Sequence, residues 1–387
     1  MAPFVYLDHN ATTPVRPEAL EAALPFLRHD YGNPSSIYAF GQSARRAVDG
    51  AREQVAALLG AKSSDEVVFT ASGSEADVLG IFGAAEQAFI DSNGRKKHVV
   101  TSLIEHDAVR LLCRRMQARG FEITRLGVDS SGRVDPAAAA AALRPETSVV
   151  AVMHANNETG VLEPIAEIGR LCRERGVLLH VDAVQSAGKI PLDVQELCAD
   201  MLAISGHKIN APKGVGALYV RRGVKLSPVV TGHQEKDRRG GTENVAFIAA
   251  LGRSAQAAAE ELPEHSARLL GLRSRLEEGV LRLPGAHLSS RGAQRLPNTS
   301  HFCFEGVDGH QLVVALDLEG VCASSGPACS AGMAGVSHVL EAMGVDPELA
   351  SGALRVSTGW GSSDADIGRL LSILPGVLKG LREVPKA

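Results

Sequence analysis

Absences narrow the possibilities first. No stretch of this 387-residue chain stays apolar for the roughly 20 positions that a membrane-spanning helix needs. The N-terminus lacks a charged region followed by an apolar stretch. Lys+Arg number 40 against 44 Asp+Glu, a net charge of −4, so no basic excess exists to draw nucleic acid and no polybasic tail to hold a membrane. The six cysteines, Cys113, Cys172, Cys198, Cys303, Cys322 and Cys329, include no Cys-x-x-Cys pair, which argues against a disulfide framework and against a structural zinc site. Internal repeats and low-complexity linkers are also missing. These exclusions leave a soluble, cytoplasmic protein, with no metal, no direct nucleic-acid contact and small molecules as its business.

What is present reads as an α/β protein. At 387 residues the chain exceeds one ordinary domain, so a large domain and a smaller one are expected. Between about residues 43 and 260, short β-branched runs alternate with longer helical stretches, the pattern of βαβ units and a mostly parallel sheet. Predicted strands are Val67–Thr70, His98–Ser102, Phe121–Leu126, Val149–His154, Val177–Asp182, Met201–Ser205 and Gly216–Val220. Asp135-Pro136 before an alanine run forms an N-cap and a first-turn proline, and Gly60 and Gly176 stand where helices should end. Ala250–Arg282 predicts one or two long helices leading to a C-terminal α+β unit. Its strands are Thr299–Glu305 and Val321–Ala323 and its helices Gly309–Leu318, Val336–Met343 and Ser363–Leu381.

Chemistry concentrates at predicted strand ends. Lys208, in Ser205-Gly206-His207-Lys208, follows an apolar strand and precedes a Pro/Gly loop, on the edge where open α/β sheets bind ligands. A partly desolvated lysine loses its charge readily and is a candidate for an imine with a carbonyl cofactor; in isolation the surface-loop reading would win, and its Ser, Gly and His neighbours tip it the other way. Asp182 ends the run Val177–Val181 and could pair with a protonated pyridine nitrogen, keeping pyridoxal phosphate (PLP) electron-withdrawing. Taken singly, it is also a common turn residue. Ala71-Ser72-Gly73-Ser74 lies between a strand and a helix, so its N–H groups and hydroxyls suit a phosphate, though it also suits an ordinary helix start. His106 opens the next helix and could stack on a ring, move protons or act as a cap. Cys329 lies in the Gly/Ser/Ala-rich segment Ser324–Gly335, a composition that suits an exposed loop and an accessible thiolate. The other cysteines sit in apolar or helical surroundings; Cys322 is the one rival.

With these residues in view, the chain resembles the cysteine desulfurases of the NifS/IscS type, fold-type-I PLP enzymes of the class-V aminotransferases. The resemblance runs from Tyr6-Leu7-Asp8-His9-Asn10-Ala11-Thr12-Thr13-Pro14 through Gly32-Asn33-Pro34-Ser35-Ser36 and Met153-His154-Ala155-Asn156-Asn157-Glu158-Thr159-Gly160 to Ser324-Ser325-Gly326-Pro327-Ala328-Cys329. It implies a large PLP domain over 15–260 and a small domain over 1–14 and 261–387 that carries the cysteine loop. Lys208 would be the Schiff-base lysine and base, Asp182 the pyridinium partner, Gln185 a donor to the phenolic oxygen and His106 the stacking residue. Ser74, Ser205 and His207 would hold the phosphate, with Thr242 reaching it from the partner of a homodimer. Asn157 and Arg355 would bind the substrate carboxylate. Cys329 would collect sulfur from L-cysteine as a persulfide, release alanine as the other product, and pass the sulfur to an iron–sulfur scaffold or sulfur carrier protein. A selenocysteine lyase, a cysteine-sulfinate desulfinase, a related PLP aminotransferase and a non-catalytic assembly platform are the competing readings.

Several positions depart from the family pattern. Tyr38 stands where a histidine is common, Val78 where an asparagine is common, and His233, Gln234 and Lys236 occupy a loop that usually holds a glycine run and an arginine. Pro327 fixes one φ in the cysteine loop. His233 is expected to bring a titratable ring close to the site, and the set of departures hints at an altered substrate, acceptor or rate.

Overall fold

A computed structural model describes residues 4–326 and 336–383. Its strands, in chain order, are β1 (Val5–Tyr6), β2 (Val67–Thr70), β3 (His98–Ser102), β4 (Glu122–Leu126), β5 (Thr147–Met153), β6 (Leu178–Asp182), β7 (Met201–Ser205), β8 (Gly216–Val220), β9 (Ala286–Leu288), β10 (Thr299–Phe304), β11 (Val321–Cys322) and β12 (Ala353–Ser357). Seven of them form one sheet in the order β2-β8-β7-β6-β5-β3-β4. Pairing is parallel throughout except at β8, which runs antiparallel to both β2 and β7.

The runs are apolar at successive positions because both faces of this sheet are covered. Side chains alternate across a strand, so neighbouring residues enter different cores. Val100, Val150, Leu179 and Leu202 join one buried cluster, whereas Val99, Val149, Ala151 and Met201 join another on the opposite face. Burying each such valine or leucine contributes about 1.5–3 kcal/mol. The punctuation behaves as its chemistry demands. Asp135 accepts from Ala137 N at 2.9 Å to start the helix Pro136–Ala142, and Gly60 and Gly176 end helices at φ 65° and 63°.

Of the expected one or two long helices the structure has one, of 36 residues, Val245–Val280, which begins five residues earlier than predicted. It contributes Ile248, Leu251 and Ala255 to the first sheet core, then Leu272, Leu276 and Val280 to a third cluster. Pro263 lies inside it at an exposed position, where the carbonyl left without its donor can reach water. The third cluster packs around the antiparallel sheet β12-β10-β9 with Phe302, Phe304, Leu354 and the closing helix Asp364–Glu383. The helix predicted from Val336 starts at His338, with Ser337 as its cap. Leu7 joins this same core, because β1 pairs in parallel with β11. Among the described residues, no helix is long and apolar enough to cross a membrane.

Candidate active site

The C-terminal ends of β3, β5, β6 and β7 share one edge of the large sheet, and a cavity of about 230 Å³ opens there. Asp182 is the last residue of β6, and Lys208 ends the single turn Gly206–Lys208 that follows β7. Both line the cavity, as do Ser74, Ser205 and His207 on one part of the wall and His106, Asn157, Gln185 and Arg355 on the rest. Nine of the residues selected from sequence are therefore brought together. Thr242 is exposed and is absent from this wall. Cys329 lies outside the described residues, as does Pro327.

Local structure explains the placements. Ser72 accepts from Glu75 N at 3.1 Å and caps the helix Gly73–Val78, which continues through a π-turn at Leu79–Gly83 into Ala84–Asp91. Its first turn carries Ser74 to the cavity. Gly73 is required there: a Cβ would stand 2.7 Å from Val184 Cγ2 and 3.0 Å from Ser205 Cβ. His106 caps the helix Asp107–Gln117, its Nδ1 accepting from Ala108 N at 3.2 Å, so in the neutral ring the proton is on Nε2. Cap and cavity-lining roles thus coexist in one side chain.

The N-terminal segment forms much of the floor. Lys208 Nζ donates to Asn10 O and, at 2.8 Å, to Ala11 O. His207 Nδ1 lies 3.1 Å from Thr12 Oγ1, and Thr13 Oγ1 donates to His207 O at 2.9 Å. Arg355, 1% exposed, donates from Nη2 to Asp8 Oδ1 at 2.6 Å and from Nη1 to Asn157 O at 3.1 Å. Burial pushes the Asp182 carboxyl above its ordinary value, while His106, the Val184 N–H at 2.9 Å and Lys208 pull it back toward the ionised form.

A buried polar layer beneath this wall was missed from sequence. His180 Nε2 meets Asp77 Oδ1 at 3.0 Å, and Asp77 itself reaches the cavity. Burial, then the charges of Asp182 and Glu105, raise the Asp77 carboxyl well above the usual range. Glu105 accepts from Ser102 Oγ and from Met153 N, and burial pushes it up to about 8. The available signal was His180 and Asp182 at i and i+2 of an otherwise apolar strand, which puts two polar groups on one face. Lys189, Asp8 and His338 were also passed over.

Other expectations need correction. His233 is exposed, pairs with Asp237 at 3.0 Å, and lies on a separate open cleft of about 510 Å³ with Arg52 and Glu235, away from the first cavity's wall in this chain. Cys198 sits in a turn at φ 54°, in neither a helix nor an apolar core. The remaining thiols behave as expected. Burial pushes Cys113 and Cys172 up to about 12, and Cys322 is raised by burial and by the carboxylates of Asp317 and Asp8, which disfavours a thiolate.

The whole arrangement has known counterparts. Residues 5–370 match the family model described as aminotransferase class-V. The chain belongs to that family. It is 44% identical to a cysteine desulfurase of Nostoc sp. over 98% of this chain and 94% of that one. With the cysteine desulfurase IscS of Methanosarcina thermophila it shares 42% identity, covering 98% and 93% of the two chains. Among solved structures, a NifS-like protein superposes with a TM-score of 0.91 at 35% identity, covering 98% of this chain and all of that one. The structure titled SspA in complex with cysteine superposes at 0.81 with 33% identity, covering 92% and 98%.

PLP is the cofactor of this family, and the residues fit it. The wall presents an amine at Lys208, a buried carboxylate at Asp182, and hydroxyls at Ser74 and Ser205 beside the helix start at Gly73, which suits an anion.

Proposed function

We propose that the chain is a PLP-dependent cysteine desulfurase that converts L-cysteine to L-alanine and holds the sulfur as a persulfide on Cys329. The observation that carries this reading is the convergence of Lys208, Asp182 and Arg355 on one cavity. When bound, PLP supplies an electron sink for the pair released at the substrate's Cα, which weakens the Cβ–S bond.

Each side chain then has a task. Lys208 tethers the cofactor and carries the Cα proton through Nζ, which already lies against the carbonyls of Asn10 and Ala11. Asp182 holds the proton on the ring nitrogen, with the Val184 N–H and nearby positive charge favouring its ionised form. Ser74, Ser205 and His207 hold the phosphate. His106 covers the ring, and Asn157 and Arg355 clamp the substrate carboxylate. The Arg355 guanidinium is oriented in advance by Asp8. Cys329 attacks the substrate sulfur as a thiolate: an S–S bond forms, the Cβ–S bond breaks, and the displaced carbon ends with one more hydrogen, as alanine.

The working unit is a homodimer. Leu20, Leu27, Tyr31, Ile37, Tyr38 and Phe40 are exposed within one 21-residue stretch, an apolar surface that a second copy would cover. Thr242, exposed and off its own cavity wall, then reaches the partner's phosphate. We place the large domain at 15–260 and the small domain at 1–14 with 261–387; the shared core of Leu7, Phe302 and Leu354 supports this division. The persulfide sulfur passes to an iron–sulfur scaffold or a sulfur carrier protein.

The test is incubation with cysteine and a reductant, scoring alanine and sulfide, beside selenocysteine and cysteine sulfinate. Equal amounts of alanine and sulfide are expected from cysteine, and Cys329→Ser should bind PLP yet release no sulfide. Full turnover by Cys329→Ser refutes the assignment and moves the protein to the lyase branch.

A further inference from the structure

Lys189 is 5% exposed and has no part in the chemistry above. A lysine ammonium taken out of water costs several kcal/mol unless its hydrogens are satisfied, so such a residue needs a reason. Its Nζ donates to Gln185 O at 2.7 Å and approaches Gln185 Oε1 at 3.4 Å. Both acceptors belong to one residue, four positions earlier, whose side chain lines the cofactor cavity.

The direction of these contacts decides the orientation of the glutamine. The Asn10 carbonyl can only accept, so the amide must turn its nitrogen toward Asn10 and its oxygen toward Lys189, whose Nζ donates whether charged or neutral. The amide nitrogen then faces the other way and donates to Asn10 O at 3.0 Å, the carbonyl that also receives Lys208 Nζ. One amide hydrogen is used there, and the second is left for the cavity. With the oxygen fixed by Lys189, the edge of Gln185 that faces the cofactor is a donor and never an acceptor.

We propose that Lys189 is a positioning residue that acts through Gln185, locking its amide so that a hydrogen points at the phenolic oxygen of bound PLP. The proposal rests on the cofactor reading given above. Around Lys189 the charged and titratable groups are Lys208, Arg355, His9, His207, His265 and the Arg16–Glu261 pair. Burial pushes His9, His207 and His265 to about 4, so all three are neutral above pH 6, whereas burial and the charges of Lys208 and Arg355 push Lys189 itself down to about 7.

The experiment is a pH titration of the visible absorbance of the PLP-loaded enzyme above pH 6, together with PLP affinity measured by adding PLP to the apo-protein. Loss of a donor leaves the phenolic oxygen more basic, so it holds the proton it shares with the Lys208 linkage to higher pH. Lys189→Met should therefore raise the midpoint by about half a pH unit or more and weaken PLP affinity several-fold. Gln185→Ala should raise it too, and the double variant should go no further than Gln185→Ala, because the two act in series. Lys189→Arg, again a pure donor, should return the midpoint toward the original. Lys189→Leu carries the same test if the Met variant does not fold. An unmoved midpoint in the donor-less variants, or additive shifts in the double variant, overturns the proposal while leaving the cofactor reading intact. A parent enzyme that stays colourless with PLP overturns both.

Discussion

Gly80→Ala should disturb the wall of the active site from beneath, by a calculable amount. A Cβ on Gly80 would stand 2.3 Å from His180 Nδ1 and 2.6 Å from its Cε1, and His180 is fully buried with its other nitrogen held by Asp77 at 3.0 Å. Overpacking of this kind costs about 1–3 kcal/mol, and a 2.3 Å approach belongs in the upper half of that range. Against it, alanine is favoured over glycine within a helix by about 1 kcal/mol. The net expectation is a loss of about 1–2 kcal/mol in urea unfolding at fixed protein concentration. In a His180→Ala background the contacts to His180 are gone and Leu218 Cδ1, at 3.2 Å, needs to give only a few tenths of an ångström into the vacated space, so the same substitution should stabilise by up to about 1 kcal/mol. The coupling between the two sites is then about 2–3 kcal/mol. Because Asp77 reaches the cavity, PLP affinity should fall in Gly80→Ala as well. A coupling below about 0.5 kcal/mol would refute the packing argument, since that is the scatter expected of independent sites.

Two further outcomes follow from the site. Glu105, raised to about 8 by burial, binds its proton more tightly folded than unfolded, so its contribution to stability is full below about pH 4.5 and is lost as pH rises through about 8. Glu105→Gln should flatten the decline of the urea midpoint between those limits, and an unchanged pH slope would show that the carboxyl ionises freely in the fold. Lys208→Ala should abolish both turnover and the visible band formed on adding PLP; a band that persists would mean that another amine holds the cofactor.

Much of this could be read in advance because its causes are local. β-branched runs between helix caps located the strands of the large sheet to within one or two residues, and strand ends in an open sheet are where ligands bind, so Lys208 and Asp182 could be picked out as candidates once read together with their neighbours. Non-local features were harder. The antiparallel course of β8 depends on pairing with β2 and β7, which its own composition does not report. Composition leaves open whether Ala250–Arg282 holds one helix or two, and the exposed side of a single long helix absorbs Pro263. The layer of Asp77, Glu105 and His180 hides among apolar neighbours, and its meaning emerges only when three elements meet. Lys189 carries no local signal in the sequence; its significance depends on an amide that faces Asn10, 175 residues away in sequence.

The pairing of β1 with β11 has a consequence for biosynthesis. A ribosome delivers Val5 and Tyr6 more than three hundred residues before their strand partners Val321 and Cys322, yet Asp8 and Asn10, just beyond β1, contact Arg355 and Lys208. The opening segment must therefore wait, unpaired at its edge, until nearly the whole polypeptide has emerged. The cavity wall is completed late, and a truncated product lacking the last quarter of the chain has neither the strand that docks its own beginning nor the guanidinium proposed to receive substrate.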